Sequence, residues 1–277
     1  MSRIGPPPSE TFVEGVGIHS GVPARVVLRR RSGPVTLEAA GVEARIDQLA
    51  IASTARATVV EAHGGALRVA TVEHAFAALA GLGVYDGIEM TIEGPELPFL
   101  DGGAAMWCDV IERLGVAPSP PRLRVARAAV LEVGTSRYEF TPGAGIEVEV
   151  RLELDGFDEA RVVPEARWLG DAVDFKLRVA GARTFVLARD IGELEAAGLA
   201  RHVDPGSVVV LAPDVTFHAG RPFSPDEPAR HKLLDLVGDL YTWGGPPLGR
   251  VRAVRPGHTA SAMALRRARA EGIVVAD

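Results

Sequence analysis

The sequence predicts an α+β protein built from two similar domains. Strand-like runs precede helix-like runs, that order occurs twice along the chain, and a proline-rich stretch separates the two occurrences. The first occurrence opens with short β-like stretches rich in valine and arginine. It continues into helical stretches at Thr71 to Ala80 and Gly103 to Leu114, the second opened by an Asp101 cap. Ala117-Pro118-Ser119-Pro120-Pro121 then interrupts the pattern, because consecutive prolines neither continue a helix nor take part in a central strand. After it, Ile146-Glu147-Val148-Glu149-Val150 alternates as a strand does, and helices are expected near Arg189 to Ala197 and over Pro228 to Trp243. A last strand and helix follow around Val251 and Met263. The expected division is residues 1–116, a linker at 117–121, and residues 122–277.

At 277 residues, 47% hydrophobic and 24% charged, the chain carries enough apolar material for a large buried core. Met1 to Glu10 is polar and proline-rich, not a basic segment leading into an apolar run, and no stretch approaches the roughly 18 apolar residues of a membrane span. A cytoplasmic protein without an integral membrane segment is expected. The single cysteine, Cys108, excludes an internal disulfide framework and a cysteine-rich zinc cluster, so a metal must use His, Asp or Glu. A net charge of −6 argues against nucleic acid as a partner. Arg250, Arg252, Arg255, Arg266, Arg267 and Arg269 form a basic stretch that would suit a diphosphate or, equally, a solvated strand and helix surface.

Polar residues stand out where helices should be apolar. In Thr71 to Ala80 nearly every position is apolar or small except the adjacent Glu73 and His74, and in Pro228 to Tyr241 a polar stripe of His231, Asp235 and Asp239 recurs every four residues. Removing a carboxylate from water costs several kcal/mol unless it is paired or bound to a metal, so such stripes require partners. His231 and Asp235 lie on one helix face about 5–6 Å apart at Cβ, near enough to share an ion. His74 can complete a set of three, which with water is the arrangement of a catalytic zinc, whereas a structural site is closed by four protein ligands. Glu73 beside it could deprotonate that water. A lone histidine on an apolar helix is more often a hydrogen-bonded core residue; the combination points to a metal. Two histidines and a carboxylate favour zinc, without excluding iron(II) or cobalt.

Gly15-Val16-Gly17-Ile18-His19-Ser20-Gly21 and Thr71-Val72-Glu73-His74 resemble the UDP-3-O-acyl-N-acetylglucosamine deacetylases. Gly94-Pro95-Glu96-Leu97-Pro98, Asp101-Gly102, Ala182-Arg183-Thr184-Phe185, His231-Lys232-Leu233-Leu234-Asp235, Gly238-Asp239-Leu240-Tyr241 and Gly257-His258 continue the resemblance in the same order. It implies two domains of β-α-α-β layered sandwich type with the active site between them. It also implies a monomeric, zinc-dependent hydrolase of lipid A biosynthesis that removes acetate from the 2-acetamido group of a small UDP-acylated amino sugar. One zinc ion per chain would be held by His74, His231 and Asp235. Glu73 would be the general base, and His258 the cation that stabilises the oxyanion and protonates the leaving amine. Asp239 would orient His258, Thr184 would hydrogen-bond the tetrahedral intermediate, and Lys232 would contact substrate. Phe185, Leu187, Ile191 and Leu199 would line a passage for the fatty-acyl chain, although residues at these spacings also suit a plain core.

His19 and Asp101 lie in motif loops where turn or capping roles are as well supported as catalytic ones, and His63, His202 and His218 read as surface residues. The chain departs from the family at Arg201 to Ser207 and at Thr259-Ala260-Ser261, and it is shortened between Arg30 and Val59. These departures touch substrate contacts more than chemistry. Two other readings remain: a paralogue with the same zinc apparatus acting on another acetamido sugar or amide, and an inactive sugar-nucleotide-binding regulator.

Overall fold

The computed structural model describes residues 7–159, 161–198 and 203–277. The fold is α+β, and its two largest sheets repeat one path. The first is built from β1 (Glu10–Val16), β2 (Pro23–Pro34), β3 (Thr36–Ala39) and β4 (Val42–Arg45). Between β4 and the first long helix stands a small sheet of β5 (Ala50–Ser53), β6 (Val59–Ala62) and β7 (Leu67–Val69). Helix α1 (Glu73–Gly81), strand β8 (Asp86–Glu93) and helix α2 (Ala105–Leu114) follow. β8 enters the middle, giving the order β1-β2-β8-β3-β4, antiparallel except for the parallel pair β3 and β8.

The second half repeats this neighbour for neighbour. β9 (Leu123–Val125) precedes β10 (Ala129–Val133), β11 (Ser136–Thr141), β12 (Ile146–Arg151) and β13 (Glu165–Trp168). An insert stands where β5 to β7 stood: α3 (Ala172–Asp174), which runs on through wider turns to Val179, then β14 (Thr184–Leu187), α4 (Ile191–Ala196), β15 (Val208–Leu211) and β16 (Thr216–Phe217). Helix α5 (Glu227–Tyr241), β17 (Gly249–Val254), α6 (His258–Ala270) and β18 (Val274–Ala276) complete the chain. The sheet order is β10-β11-β17-β12-β13, again with one parallel pair, β12 and β17. Residues 116–122 have no regular structure, and β18 turns back to pair with β9.

Two local expectations need correction, the Asp101 cap and the helix near Arg189 to Ala197. The second helix starts at Ala105 behind Ala104, with no side-chain cap, so Asp101 does not open it. A Cβ on Gly102 would lie 1.8 Å from the Ser207 carbonyl oxygen, and one on Gly103 2.6 Å from that of Ala180; this close approach holds Asp101 to Gly103 as a loop. The helix expected near Arg189 to Ala197 shrinks to the six residues of α4 behind a 3-10 turn at Ala188–Asp190, and none of these residues is buried to hold a longer helix. Arg250 and Arg252 pair with Glu149, and Arg255 with Glu153, so these arginines are a paired strand surface. His63 and His218 are exposed, and His202 lies outside the described residues. Among the described residues no helix is long and apolar enough to cross a membrane.

One apolar core spans both halves and joins Phe76 and Leu79 of α1 to Leu233, Leu234 and Val237 of α5. Every residue of α1 is buried. The two helices pack closely because α5 carries Gly238 in its last turn, although glycine within a helix generally costs about 1 kcal/mol relative to alanine. A Cβ there would lie 2.0 Å from the Glu73 carbonyl oxygen. Gly238→Ala is therefore expected to cost at least the ~1–3 kcal/mol of an overpacked core and to lower Tm by about 5 °C or more. It should lower turnover as well, since the displaced helix carries Asp235 and Asp239. Thermal unfolding at wild-type Tm would refute this.

Candidate active site

The first turn of α1 presents Glu73 and His74, and α5 presents His231, Asp235 and Asp239 along the face that meets it. His74 Nε2 and His231 Nε2 lie 3.7 and 3.4 Å from Asp235 Oδ1. All three side chains are buried, and their ligand atoms lie within 4.8 Å of one another. Asp235 Oδ1 has no hydrogen-bond partner. A buried acceptor facing two imidazole nitrogens is a polar group in want of a cation. Ligands about 2.0–2.1 Å from a tetrahedral ion stand about 3.3–3.4 Å apart, close to the separations found. The rest of each side chain is oriented for the task. His231 Nδ1 lies 3.1 Å from the Ala182 carbonyl, which fixes Nδ1 as the donor and leaves Nε2 as a lone pair. Burial pushes the His231 pKa down to about 4, against the pull of the Asp235 carboxylate. Burial opposes the charge of Asp235, but His231 and Lys232 outweigh it and hold the carboxyl well below its ordinary range.

On the other side of Asp235 stands His258, the first residue of α6, whose Nε2 lies 3.9 Å from both Glu73 Oε1 and Asp235 Oδ2. Its Nδ1 sits 3.0 and 3.1 Å from the two oxygens of Asp239. Burial works against the imidazolium, yet Asp239, Glu73 and Asp235 prevail and push its pKa up to about 10. The Glu73 pKa is raised as well, but by burial, which lifts its carboxyl above the usual range against the pull of His258 and His74. The structure thus brings His74, His231 and Asp235 together with Glu73, His258 and Asp239, the residues expected to hold a metal and to transfer protons.

Of the remaining expected residues, Lys232 and Phe185 border this centre. The Lys232 ammonium donates to Asp235 Oδ2 at 2.8 Å and lies 5.6 Å from the centre of the Phe185 ring. The Thr184 hydroxyl donates to the Gly102 carbonyl at 3.0 Å, a bond that must break before it can donate to a substrate. Phe185 and Ile191 line an apolar cavity of about 280 Å³, whose walls also include Ile18, Leu194, Val208 and Val210. Leu187, on the same strand as Phe185, is not part of that lining, and Leu199 lies outside the described residues. His19 flanks the cavity in a turn tied by Glu96, whose carboxylate accepts from the backbone N–H groups of His19 and Ser20 and from the Thr71 hydroxyl.

Sequence reasoning missed the ion pair that braces this site. Arg183 is fully buried and uses all five guanidinium donors, on Glu227 Oε1 and Oε2 and on the carbonyls of Ala219, Arg221 and Pro222. Glu227 is the first residue of α5, and Arg183 follows the carbonyl that holds His231, so the pair locks a ligand's helix to that ligand's hydrogen-bond partner. The Ala182-Arg183-Thr184-Phe185 motif was visible in the sequence; its partner 44 residues away was not.

The family described as UDP-3-O-acyl N-acetylglycosamine deacetylase matches residues 8–269. Among similar curated proteins, the UDP-3-O-acyl-N-acetylglucosamine deacetylase of Myxococcus xanthus is 34% identical over 260 residues, which cover 89% of this chain and 80% of that protein. The protein of the same description from an Anaeromyxobacter species is 33% identical over 266 residues, covering 93% and 85% of the two chains. That of Brucella melitensis is 32% identical over 269 residues, covering 92% and 91%.

Proposed function

We propose, of a chain that belongs to the UDP-3-O-acyl N-acetylglycosamine deacetylase family, that His74, His231 and Asp235 hold one zinc ion and that Glu73 and His258 carry the proton transfers. The reaction is deacetylation of UDP-3-O-acyl-N-acetylglucosamine in lipid A biosynthesis. The single observation that carries the site assignment is Asp235 Oδ1, buried without a hydrogen-bond partner between two imidazole nitrogens, with the Glu73 carboxylate and a third imidazole, that of His258, beyond it.

Zinc, when bound, would polarise the acetamide carbonyl and make water a competent nucleophile at neutral pH. The chain's own residues do the rest. Glu73 Oε1 takes the proton of the attacking water, a role favoured by the burial that raises its pKa. His258 holds its proton on Nε2 and delivers it to the departing nitrogen, because an amine anion is too poor a leaving group to depart unprotonated. Asp239 keeps Nδ1 engaged, so Nε2 is the nitrogen that faces the reaction. Lys232 contacts the sugar nucleotide, Thr184 turns its hydroxyl to the developing oxyanion, and Phe185 and Ile191 accept the acyl chain.

In this reading residues 1–116 and 122–277 are two domains, and catalysis takes place where α1 meets α5 and α6. One chain supplies the whole set, which supports a monomer, and a sugar-nucleotide substrate suits the cytoplasm. The test is release of free amine from UDP-3-O-acyl-N-acetylglucosamine, with chelator and after zinc restoration. Chelator-sensitive, zinc-restored release is expected. Release that persists in metal-free protein would remove the metal from the scheme. Hydrolysis of other acetamido sugars alone would assign the zinc apparatus to a paralogous substrate.

A further inference from the structure

Between the base and the acid lies a residue that the scheme above leaves idle. Thr58, in the loop just before β6, is buried and touches both. Its backbone N–H donates to Glu73 Oε2 at 2.9 Å, its hydroxyl donates to Asp239 Oδ1 at 2.8 Å, and that hydroxyl oxygen lies 3.2 Å from His258 Nδ1. Its carbonyl accepts from the N–H of Val72, immediately ahead of Glu73.

We propose that Thr58 is a positioning residue for the reaction, setting the base and the acid in register with each other through one backbone and one side-chain hydrogen bond. The inference rests on the roles given above to Glu73, Asp239 and His258. A buried carboxylate without a donor can rotate about its terminal bond, and each donor it gains restricts that rotation. Held at Oε2, Glu73 offers Oε1 to the space it shares with His258 Nε2, 3.9 Å away. Asp239 receives the Thr58 hydroxyl on the same oxygen that takes the closer contact from His258, so the hydroxyl fixes the plane in which the imidazole is held. Thr58 comes from the first half of the chain and the Asp239–His258 pair from the second, so one residue spans the groups that must move protons in succession. A hydroxyl at this buried position satisfies no strand requirement; valine has the same branched shape and the same preference for extended backbone.

The decisive comparison uses zinc-loaded full-length Thr58→Val and Thr58→Ser, with Thr58→Ala replacing the valine variant should valine prevent folding. Thr58→Val is expected to lower kcat by about 10- to 100-fold, the range for losing a hydrogen bond to a charged group, with KM changed less than about 3-fold and zinc content stoichiometric. Thr58→Ser, which keeps the hydroxyl, should recover most of that loss. In an Asp239→Ala background Thr58→Val should cost nothing further, since its partner is gone. Wild-type kcat in Thr58→Val, a serine variant as slow as the valine one, or a loss of kcat that follows loss of zinc would each overturn the proposal. Activity retained by Glu73→Gln and His258→Ala would instead overturn the roles on which it rests.

Discussion

Glu73→Gln is expected to lower turnover by about 10²- to 10⁴-fold while the protein keeps its full complement of metal. Glutamine preserves the shape of the side chain and its acceptor for the Thr58 N–H, and removes only the capacity to take a proton. Because Glu73 is adjacent to His74 yet absent from the group of ligand atoms, metal content separates the two roles. The pH profile supplies a second readout. Glu73 must be ionised, and burial raises its pKa, so activity should fall as pH drops through a value above the ordinary carboxylate range. His258 must be protonated, and its pKa is pushed up to about 10, so activity should fall again as pH rises toward that value. A bound dication would draw both limbs downward without exchanging them. The acid limb should vanish in Glu73→Gln. Near-normal turnover in this variant, or an unchanged acid limb, would exclude Glu73 as the base.

Asp235→Ala should act one step earlier, by emptying the metal site. Its Oδ1 lies 3.7 and 3.4 Å from the imidazole nitrogens of His74 and His231, and its Oδ2 accepts from Lys232. Removing it takes away a ligand and deprives the Lys232 ammonium of the carboxylate to which it donates. The expected loss of metal affinity lies well beyond the roughly 10- to 100-fold typical of an outer hydrogen-bond partner. Equilibrium dialysis against a metal buffer measures it directly. Stoichiometric zinc in the variant at wild-type affinity would strike Asp235 from the ligand set.

The parts of the site that could be read from the sequence were those in which geometry follows from local spacing. His231, Asp235 and Asp239 recur at the period of a helix, and a polar pair at Glu73-His74 in an apolar run announces a buried function. Thr58 could not be found this way. Its partners stand 15, 181 and 200 residues away, and a threonine before a valine strand carries no periodic signal. The Asp101 cap failed for a similar reason: a turn motif before an apolar run resembles a helix start, but the backbone there is committed to close contacts with Ala180 and Ser207. Strands before helices, twice, gave the class of the fold. That β8 and β17 each return to the middle of a sheet, pairing in parallel with a strand met much earlier, depends on long-range closure that no local pattern encodes.

The placement of the ligands on two helices has a thermodynamic consequence. His74 belongs to α1 in the first half, and His231 and Asp235 belong to α5 in the second, so an ion bound by all three acts as a reversible cross-link between segments more than 150 residues apart. Binding only to the native arrangement, it adds about 4 kcal/mol of stability when free metal exceeds its Kd roughly 1,000-fold, and progressively less as metal becomes scarce. A metal held there for hydrolysis would thereby also be a fastener. A cell short of metal would face a pool of this protein that is less durable as well as idle, and its abundance would track metal supply even at constant synthesis.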